Sequence, residues 1–368
     1  MRSILIVFGT RPEAIKMCPL WHELRRRTGL ATSVCVTGQH RGMLDGVLSA
    51  FSVVPDYDLA VMREGQTPSG VTQRVLSGLE RVLDEMRPHV VLVHGDTTTA
   101  FAAALSAFYR RIPVGHVEAG LRTYDLSSPF PEEFNRRAVA LTASYHFAPT
   151  EGARDNLLRE GISPQKVFVT GNTVVDALAA TVRRDYSHPL LDWGIGSRLV
   201  LLTAHRRENL GAPMEEMLRA IRRAVEKRPD VKVICPVHKN PAAREVARRV
   251  LSGCPRIRMT EPLDVVPFHN LLARCYLVLT DSGGIQEEAS ALGKPVLVLR
   301  RTTERPEGVA AGGLRLVGTD GRQVEDAFLR LLDHPDEYRR MTGGINPYGD
   351  GNASRRIADV LETGRFQF

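Results

Sequence analysis

Short apolar runs punctuate the chain, each followed by turn residues and then by a longer stretch with helical periodicity. The runs fall at residues 3–8, 31–36, 89–93, 112–117, 145–148 and 166–169. Runs this short and continuous suit strands buried on both faces. Strands that alternate with helices predict parallel sheets with helices on both sides. The pattern restarts at residues 198–202, 231–236, 276–279 and 295–299. Between the two series, residues 182–197 carry Pro, Gly and Ser without periodicity, so the boundary falls near residues 170–197. The expected fold is α/β with two Rossmann-like domains. The first covers residues 1–172 and the second residues 173–351.

Composition leaves this picture intact. Hydrophobic residues make up 43% and charged residues 25%, as in ordinary globular proteins. No segment approaches the roughly 20 apolar residues of a membrane span. The first run is too short for a signal peptide, and Gly9-Thr10-Arg11-Pro12-Glu13 stands where a cleavage site would be. The chain therefore reads as cytoplasmic, with no membrane partner. Cys18, Cys35, Cys235, Cys254 and Cys275 are odd in number and scattered, which argues against a disulfide framework or a zinc site. The net charge is +7, but only six of the 49 Lys and Arg residues are lysine, and the arginines are spread over helical stretches. That distribution describes solvated helix faces rather than a nucleic-acid stripe. It leaves a field that steers an anionic substrate.

The chemistry gathers at strand ends. In open α/β sheets ligands bind beyond the carboxyl ends of the strands. Arg11, Gln39, Asp96, Glu118, His205, His238 and Ser282 all follow apolar runs. Seven such residues from both halves suggest two facing rims of one cleft. The sharpest signal is Asp281-Ser282-Gly283-Gly284-Ile285-Gln286-Glu287-Glu288. Ser282 can cap a helix there, and the two glycines bare N–H groups at its positive end, an arrangement that binds phosphate. Glu288 lies on a face that can meet ribose hydroxyls. Arg301 and Arg305 follow the next run, and His205-Arg206-Arg207 follows the first run of the second half. In the first half Arg11 opens a helix, with Pro12 at the first helical position and Lys16 about one turn on. Asp96 and Glu118 lie at consecutive strand ends. Glu133 reads as an ordinary first-turn acid. Neither G-x-G-x-x-G, G-x-x-x-x-G-K-[ST] nor H-E-x-x-H occurs. One D-x-D, Asp56-Tyr57-Asp58, follows no convincing strand and reads as chance.

Taken together, these segments resemble the non-hydrolysing UDP-N-acetylglucosamine 2-epimerases. The matching pieces are Gly9 to Lys16, Thr37 to Arg41, His94 to Thr99, Gly115 to Arg122, Pro129 to Arg136, Thr170 to Asp176, Ala204 to Asn209, and Ser282 to Glu288 with Thr302 to Pro306. They cover nearly the whole chain in the family's order. The resemblance implies a glycosyltransferase-B-like fold and a homodimer. It also implies a C-terminal helix, about residues 352–368, that returns to the first domain. By position, Asp96, Glu118 and Glu132 resemble the catalytic carboxylates, assisted by His205. Arg11, Phe268, Ser282, Gly283, Glu288 and Arg305 resemble UDP-binding positions, and Lys16, Arg136 and Gly284 join them as substrate-binding candidates. No cofactor and no metal is implied. Two side chains expected at the family's regulatory sugar-nucleotide site are replaced by Gly42 and Gly65.

The residues suit the chemistry this implies. The C2 proton of a UDP-sugar has no adjacent carbonyl to acidify it, so the C1–O bond must break as the proton leaves. Cations and a helix N-terminus stabilise the departing diphosphate. Proton transfer on two faces of one carbon requires more than one acid/base group. A hydrolysing epimerase, a glycosyltransferase of the same fold and a non-catalytic sugar-nucleotide sensor remain as rival readings at this point.

Overall fold

Two all-parallel sheets organise the computed structural model, which describes residues 1–38, 41–63, 65–344 and 346–364. The first contains β1 (Arg2–Phe8), β2 (Leu30–Val36), β3 (Tyr57–Asp58), β4 (Val90–His94), β5 (Val114–Val117), β6 (Tyr145–Ala148) and β7 (Val167–Val169). Their spatial order is β3-β2-β1-β4-β5-β6-β7. The second contains β8 (Arg198–Thr203), β9 (Val231–Pro236), β10 (Ile257–Thr260), β11 (Leu277–Thr280), β12 (Val296–Val298) and β13 (Leu314–Leu316). Their order is β10-β9-β8-β11-β12-β13. Each sheet thus runs outward in both directions from a central pair, β1/β4 or β8/β11. That reversal of strand order is the switch point where doubly wound sheets open a crevice.

Alternation along the strands explains why both faces are covered. Leu199 and Leu201 of β8 join a core cluster with Ile234 and Val278. Val200 and Leu202 join the other cluster, with Val233 and Leu279. Side chains of period two therefore feed helices on opposite sides. In β1, Ile4 to Phe8 are all buried. Helix starts follow the local rules. Thr97, Thr150, Asn240 and Asp320 accept the N–H groups of Ala100, Ala153, Ala242 and Gln323, which removes orphan donors of the first turn.

Two compact units result. One contains Met1–Ala180 and Tyr348–Phe368, the other Thr181–Pro347. Within the first unit the C-terminal helix Ala353–Thr363 packs on the helix Arg11–Arg25. Arg2 Nη1 donates to the carbonyls of Leu361 and Glu362. Asp176 takes the N–H groups of Ser354 and Ala353 at the start of this helix. Residues 365–368 of the expected C-terminal segment lie outside the described residues.

Three strands escape the sequence reading: β3, β10 and β13. All are sheet edges and carry few apolar residues. The D-x-D segment proves to be one of them, since Tyr57–Asp58 pairs with Cys35–Val36. Asp56 accepts the Val34 N–H at 2.7 Å and Asp58 the Ala60 N–H at 2.9 Å. Both acids thus serve the backbone. Pro12 sits at the second position of its helix, because Arg11 is the first residue and Thr10 the cap.

Candidate active site

In the first unit the turns after β1, β4 and β5 carry the expected residues. Arg11 is the first, half-buried residue of the helix Arg11–Arg25, and Lys16 is buried on it. Glu13, between them, holds the turn together. Its Oε2 accepts Gly9 N (3.0 Å), Thr10 N (2.8 Å) and Thr10 Oγ1 (2.8 Å). Its Oε1 accepts Thr97 Oγ1 at 2.7 Å. The first set closes a capping box; the last ties the β1 turn to the β4 turn beside Asp96. Burial pushes the Glu13 carboxyl above its ordinary value, and these hydrogen bonds and the nearby His94 offset part of the rise. The sequence reading assigned Glu13 no role, although Thr-x-x-Glu before an apolar stretch was the available signal.

Asp96 follows β4 and Gly95. Its Oδ2 is gripped by Arg136 through Nε (3.1 Å) and through Nη2. Asn135 Nδ2 holds the Asp96 carbonyl at 2.9 Å. Glu118 follows β5 with φ of 62°, a left-handed conformation that a residue with a Cβ adopts at a cost of roughly 1–2 kcal/mol. The turn aims its carboxylate inward. Glu118 Oε2 accepts Lys16 Nζ and, at 2.9 Å, Asn172 Nδ2. The pairing of β4 with β5 sets His94 opposite Val117. It also brings Glu118 Oε1 to 3.7 Å from the place a Cβ on Gly95 would occupy. The two strand-end acids therefore share one small region, each with its own buried cation.

Glu132 is the half-buried first residue of the helix Glu132–Thr142. Its neighbour departs from expectation. Glu133 is fully buried, accepts the N–H groups of Thr123 (3.0 Å) and Tyr124 (3.1 Å), and takes Arg136 Nη1 at 3.2 Å. It is no solvated first-turn acid: it fixes the loop before the helix and steadies the arginine that grips Asp96.

In the second unit the equivalent turns follow β8 and β11. Asp281, fully buried, is the hub. Its Oδ2 accepts His205 N (2.8 Å), Arg206 N (2.8 Å) and Asn209 Nδ2 (3.2 Å). It thereby shapes the loop that presents His205, and its Oδ1 lies 3.6 Å from His205 Nδ1. The His205 ring stacks on His238 with centroids 4.8 Å apart. Burial lowers the His205 pKa, and His238 and Arg206 push the same way against the opposing pull of Asp281. A neutral imidazole at neutral pH follows.

Ser282 stands at the N-cap position of the helix Gly283–Ala291, but contrary to expectation its side chain makes no capping hydrogen bond there. Gly283 and Gly284 differ sharply. A Cβ on Gly283 would lie 2.7 Å from Arg305 Cζ and closer still to Nη1, whereas one on Gly284 would meet nothing within 4 Å. The Arg305 guanidinium is thus laid against the start of the helix. Glu287 accepts its Nε at 2.8 Å, and Glu304 pairs with Nη1 at 2.8 Å. Burial alone would raise the Glu304 carboxyl, but Arg305, Arg300 and Arg206 more than reverse this and hold it far below the usual carboxylate range. Glu288 points elsewhere, with Oε1 3.7 Å from buried His269 Nε2. Phe268 is partly buried against the Leu271–Val278 cluster. Gln39 and His40 lie outside the described residues. Gly42 and Gly65 have open space where a Cβ would stand.

Comparison with known proteins adds to this geometry. The family profile described as UDP-N-acetylglucosamine 2-epimerase matches residues 22–362. A UDP-N-acetylglucosamine 2-epimerase of Bacillus subtilis is 55% identical over 359 residues, which span 98% of this chain and 94% of that protein. The crystal structure of the Neisseria meningitidis UDP-GlcNAc 2-epimerase bound to UDP-GlcNAc superposes with a TM-score of 0.93 at 46% identity, covering 98% of this chain and 99% of that one. The S. aureus MnaA–UDP structure gives 0.94 at 49% identity, with coverage of 98% and 96%.

Proposed function

Because the chain belongs to the UDP-N-acetylglucosamine 2-epimerase family, we propose that it inverts C2 of UDP-N-acetylglucosamine to give UDP-N-acetylmannosamine, reversibly and without net hydrolysis. The observation that carries this reading is the pair Asp96 and Glu118 on adjoining strand ends, each held by a buried cation, Arg136 and Lys16. A protein that only bound sugar nucleotides would need the cations and not the acids.

In the proposed cycle a carboxylate takes the proton from C2. The C–H electron pair forms the C1–C2 double bond, and the C1–O bond breaks with its electrons leaving on UDP. A 2-acetamidoglucal results. The Ser282–Gly284 turn and Arg305 stabilise the diphosphate as its charge grows. The family resemblance adds Arg11 as a further cation for the diphosphate, and Phe268 and Glu288 as residues for the nucleoside, the last after a turn away from His269. A second acid then returns a proton to the opposite face while UDP re-adds. Asp96, Glu118 and Glu132 divide these proton transfers, with neutral His205 as a further proton acceptor. The family resemblance suggests a homodimer. Phe130, Phe134 and Leu141, all markedly exposed around the helix Glu132–Thr142, offer an apolar face for it. No helix among the described residues is long and apolar enough to cross a membrane. The five cysteines are buried thiols, which suits a reducing cytoplasm.

The test is incubation with UDP-N-acetylglucosamine in deuterated water, without added metal or NAD. Deuterium at C2 and a mixture of gluco and manno nucleotides are expected. Release of free UDP with N-acetylmannosamine would indicate hydrolysis instead, and the absence of exchange would overturn the proposal. Glu118→Gln should abolish exchange and keep UDP binding.

A further inference from the structure

His94 is a buried titratable group beside Glu118 that the cycle above leaves unused. It ends β4, is almost completely buried, and its Nε2 has no hydrogen-bond partner among the described residues. That nitrogen lies 3.6 Å from Glu118 Oε2. A buried ring nitrogen left unsatisfied is costly, so its persistence beside a reactive carboxylate calls for a reason.

The surroundings supply one. Glu118 Oε2 already receives Lys16 Nζ and Asn172 Nδ2, and His94 Nε2 approaches the same oxygen. Two donors thus anchor Oε2 and a third ring nitrogen approaches it, while Oε1 lies on the Gly95 side. Charged and titratable groups face His94 from each neighbouring element. Glu13 and Lys16 come from the helix Arg11–Arg25, Glu118 from the exit of β5, and His116 from β5 itself. At 3.6 Å the His94–Glu118 approach is too long for a formed hydrogen bond, and it needs a shift of well under an ångström to become one.

We propose that His94 is a positioning residue for Glu118, whose Nε2–H closes on Oε2 during turnover and keeps the carboxylate oriented and ionised. The inference rests on Glu118 being an acid/base of the epimerisation. A donor to the ionised form lowers a carboxyl pKa. Its removal therefore favours the protonated acid, and the base works only at higher pH. His94 acts through Glu118 and does not touch the sugar.

The experiment compares kcat, KM and the pH profile of kcat/KM for wild type, His94→Phe and His94→Gln, alongside UDP affinity. His94→Phe fills the space without a donor. It should lower kcat about tenfold and move the acid limb up by about one pH unit, with UDP affinity and KM within a few-fold of wild type. His94→Gln carries an amide donor and should restore both kcat and the limb. If the Phe variant does not fold, His94→Leu, which also lacks a donor, takes its place with the same expectations. A donor-free variant with wild-type kcat and an unshifted limb overturns the inference. So does a Gln variant as impaired as Phe, because that marks packing as the only role. Failure of the wild type to exchange C2 hydrogen would instead remove the functional reading beneath it.

Discussion

Two adjacent glycines should respond in opposite ways to the same substitution. Gly283→Ala drives a Cβ to 2.7 Å from Arg305 Cζ and closer to Nη1, about 1 Å inside ordinary contact. Something must move. Arg305 is buried and held by Glu287 and Glu304, which are themselves buried. Loss of one member of a buried pair costs about 3–5 kcal/mol, and a forced shift of packed structure about 1–3 kcal/mol. The cheaper route sets the expectation: a loss of about 1–3 kcal/mol in urea unfolding of the second unit. Gly284→Ala meets nothing within 4 Å and removes a glycine from a helix, a change worth up to about 1 kcal/mol in favour of folding. Its stability should equal or exceed that of wild type. The same methyl, however, fills the space over bare N–H groups where the diphosphate is proposed to lie. The loss of one hydrogen bond to a charged group, about 1.5–3 kcal/mol, should weaken UDP binding about 10- to 100-fold by calorimetry. A Gly283→Ala protein as stable as wild type would refute the packing argument. A Gly284→Ala protein that binds UDP normally would refute the phosphate cradle.

Three other outcomes follow from the same reasoning. Glu13→Ala leaves the Gly9 and Thr10 N–H groups without an acceptor and should cost about 2–4 kcal/mol in thermal or urea unfolding. Glu13→Gln should cost under about 1 kcal/mol, since the Thr97 hydroxyl can accept from the new amide; equal loss in both variants would show that the charge itself matters. His116 and His146 sit opposite each other on β5 and β6, and burial pushes them down to about 3 and about 4. Their folded values lie below the unfolded one, so their contribution is full above about pH 6.5 and is lost progressively as pH falls from there toward the depressed values. Between pH 6.5 and 4.5 the pair should remove on the order of 5 kcal/mol at most, with a shallower slope in His116→Gln; identical slopes would contradict the assignment. Leu141→Glu, at an 82% exposed position, should yield monomers in sedimentation if the apolar face joins two copies, and an unchanged mass would exclude that face.

The readability of this chain depended on where each residue sits in its sheet. Central strands such as β1, β4, β8 and β11 stand out because they are buried on both faces and must be apolar throughout. Edge strands do not carry that requirement. Ile257–Thr260 and Leu314–Leu316 are partly polar, and their pairing becomes visible only with the neighbour in place. The same split applies to the site. Asp96, Glu118, Ser282 and Gly283 stand out as candidates because they follow the ends of central strands. Asp281 opens the sharpest motif but receives no role of its own, and Glu133 reads as a first-turn acid, since a carboxylate that satisfies backbone N–H groups looks the same in sequence as one left in water. Glu118 in the left-handed region had no sequence mark, because that conformation usually belongs to glycine.

The buried acids form two populations, and the physical distinction between them bears directly on function. Glu13, Glu133, Asp281 and Glu287 accept donors already supplied by the fold: backbone N–H groups, hydroxyls or a buried guanidinium. Their charge is neutralised within the folded chain, and proton uptake would cost those bonds. Asp96 and Glu118 instead pair with long cationic side chains, Arg136 and Lys16, with Asn172 as a further side-chain donor to Glu118. Side-chain partners are a looser hold than fixed backbone donors, since a long cationic side chain can turn toward an arriving anion while a backbone N–H cannot. A carboxylate that is to gain and lose a proton must be ionised at rest without being locked in that state. The holding acids therefore sit one or a few residues from the working ones: Glu133 holds the arginine that grips Asp96, and Glu13 the turn from which Lys16 projects. The fold pays for rigidity at the first set so that the second can stay reversible.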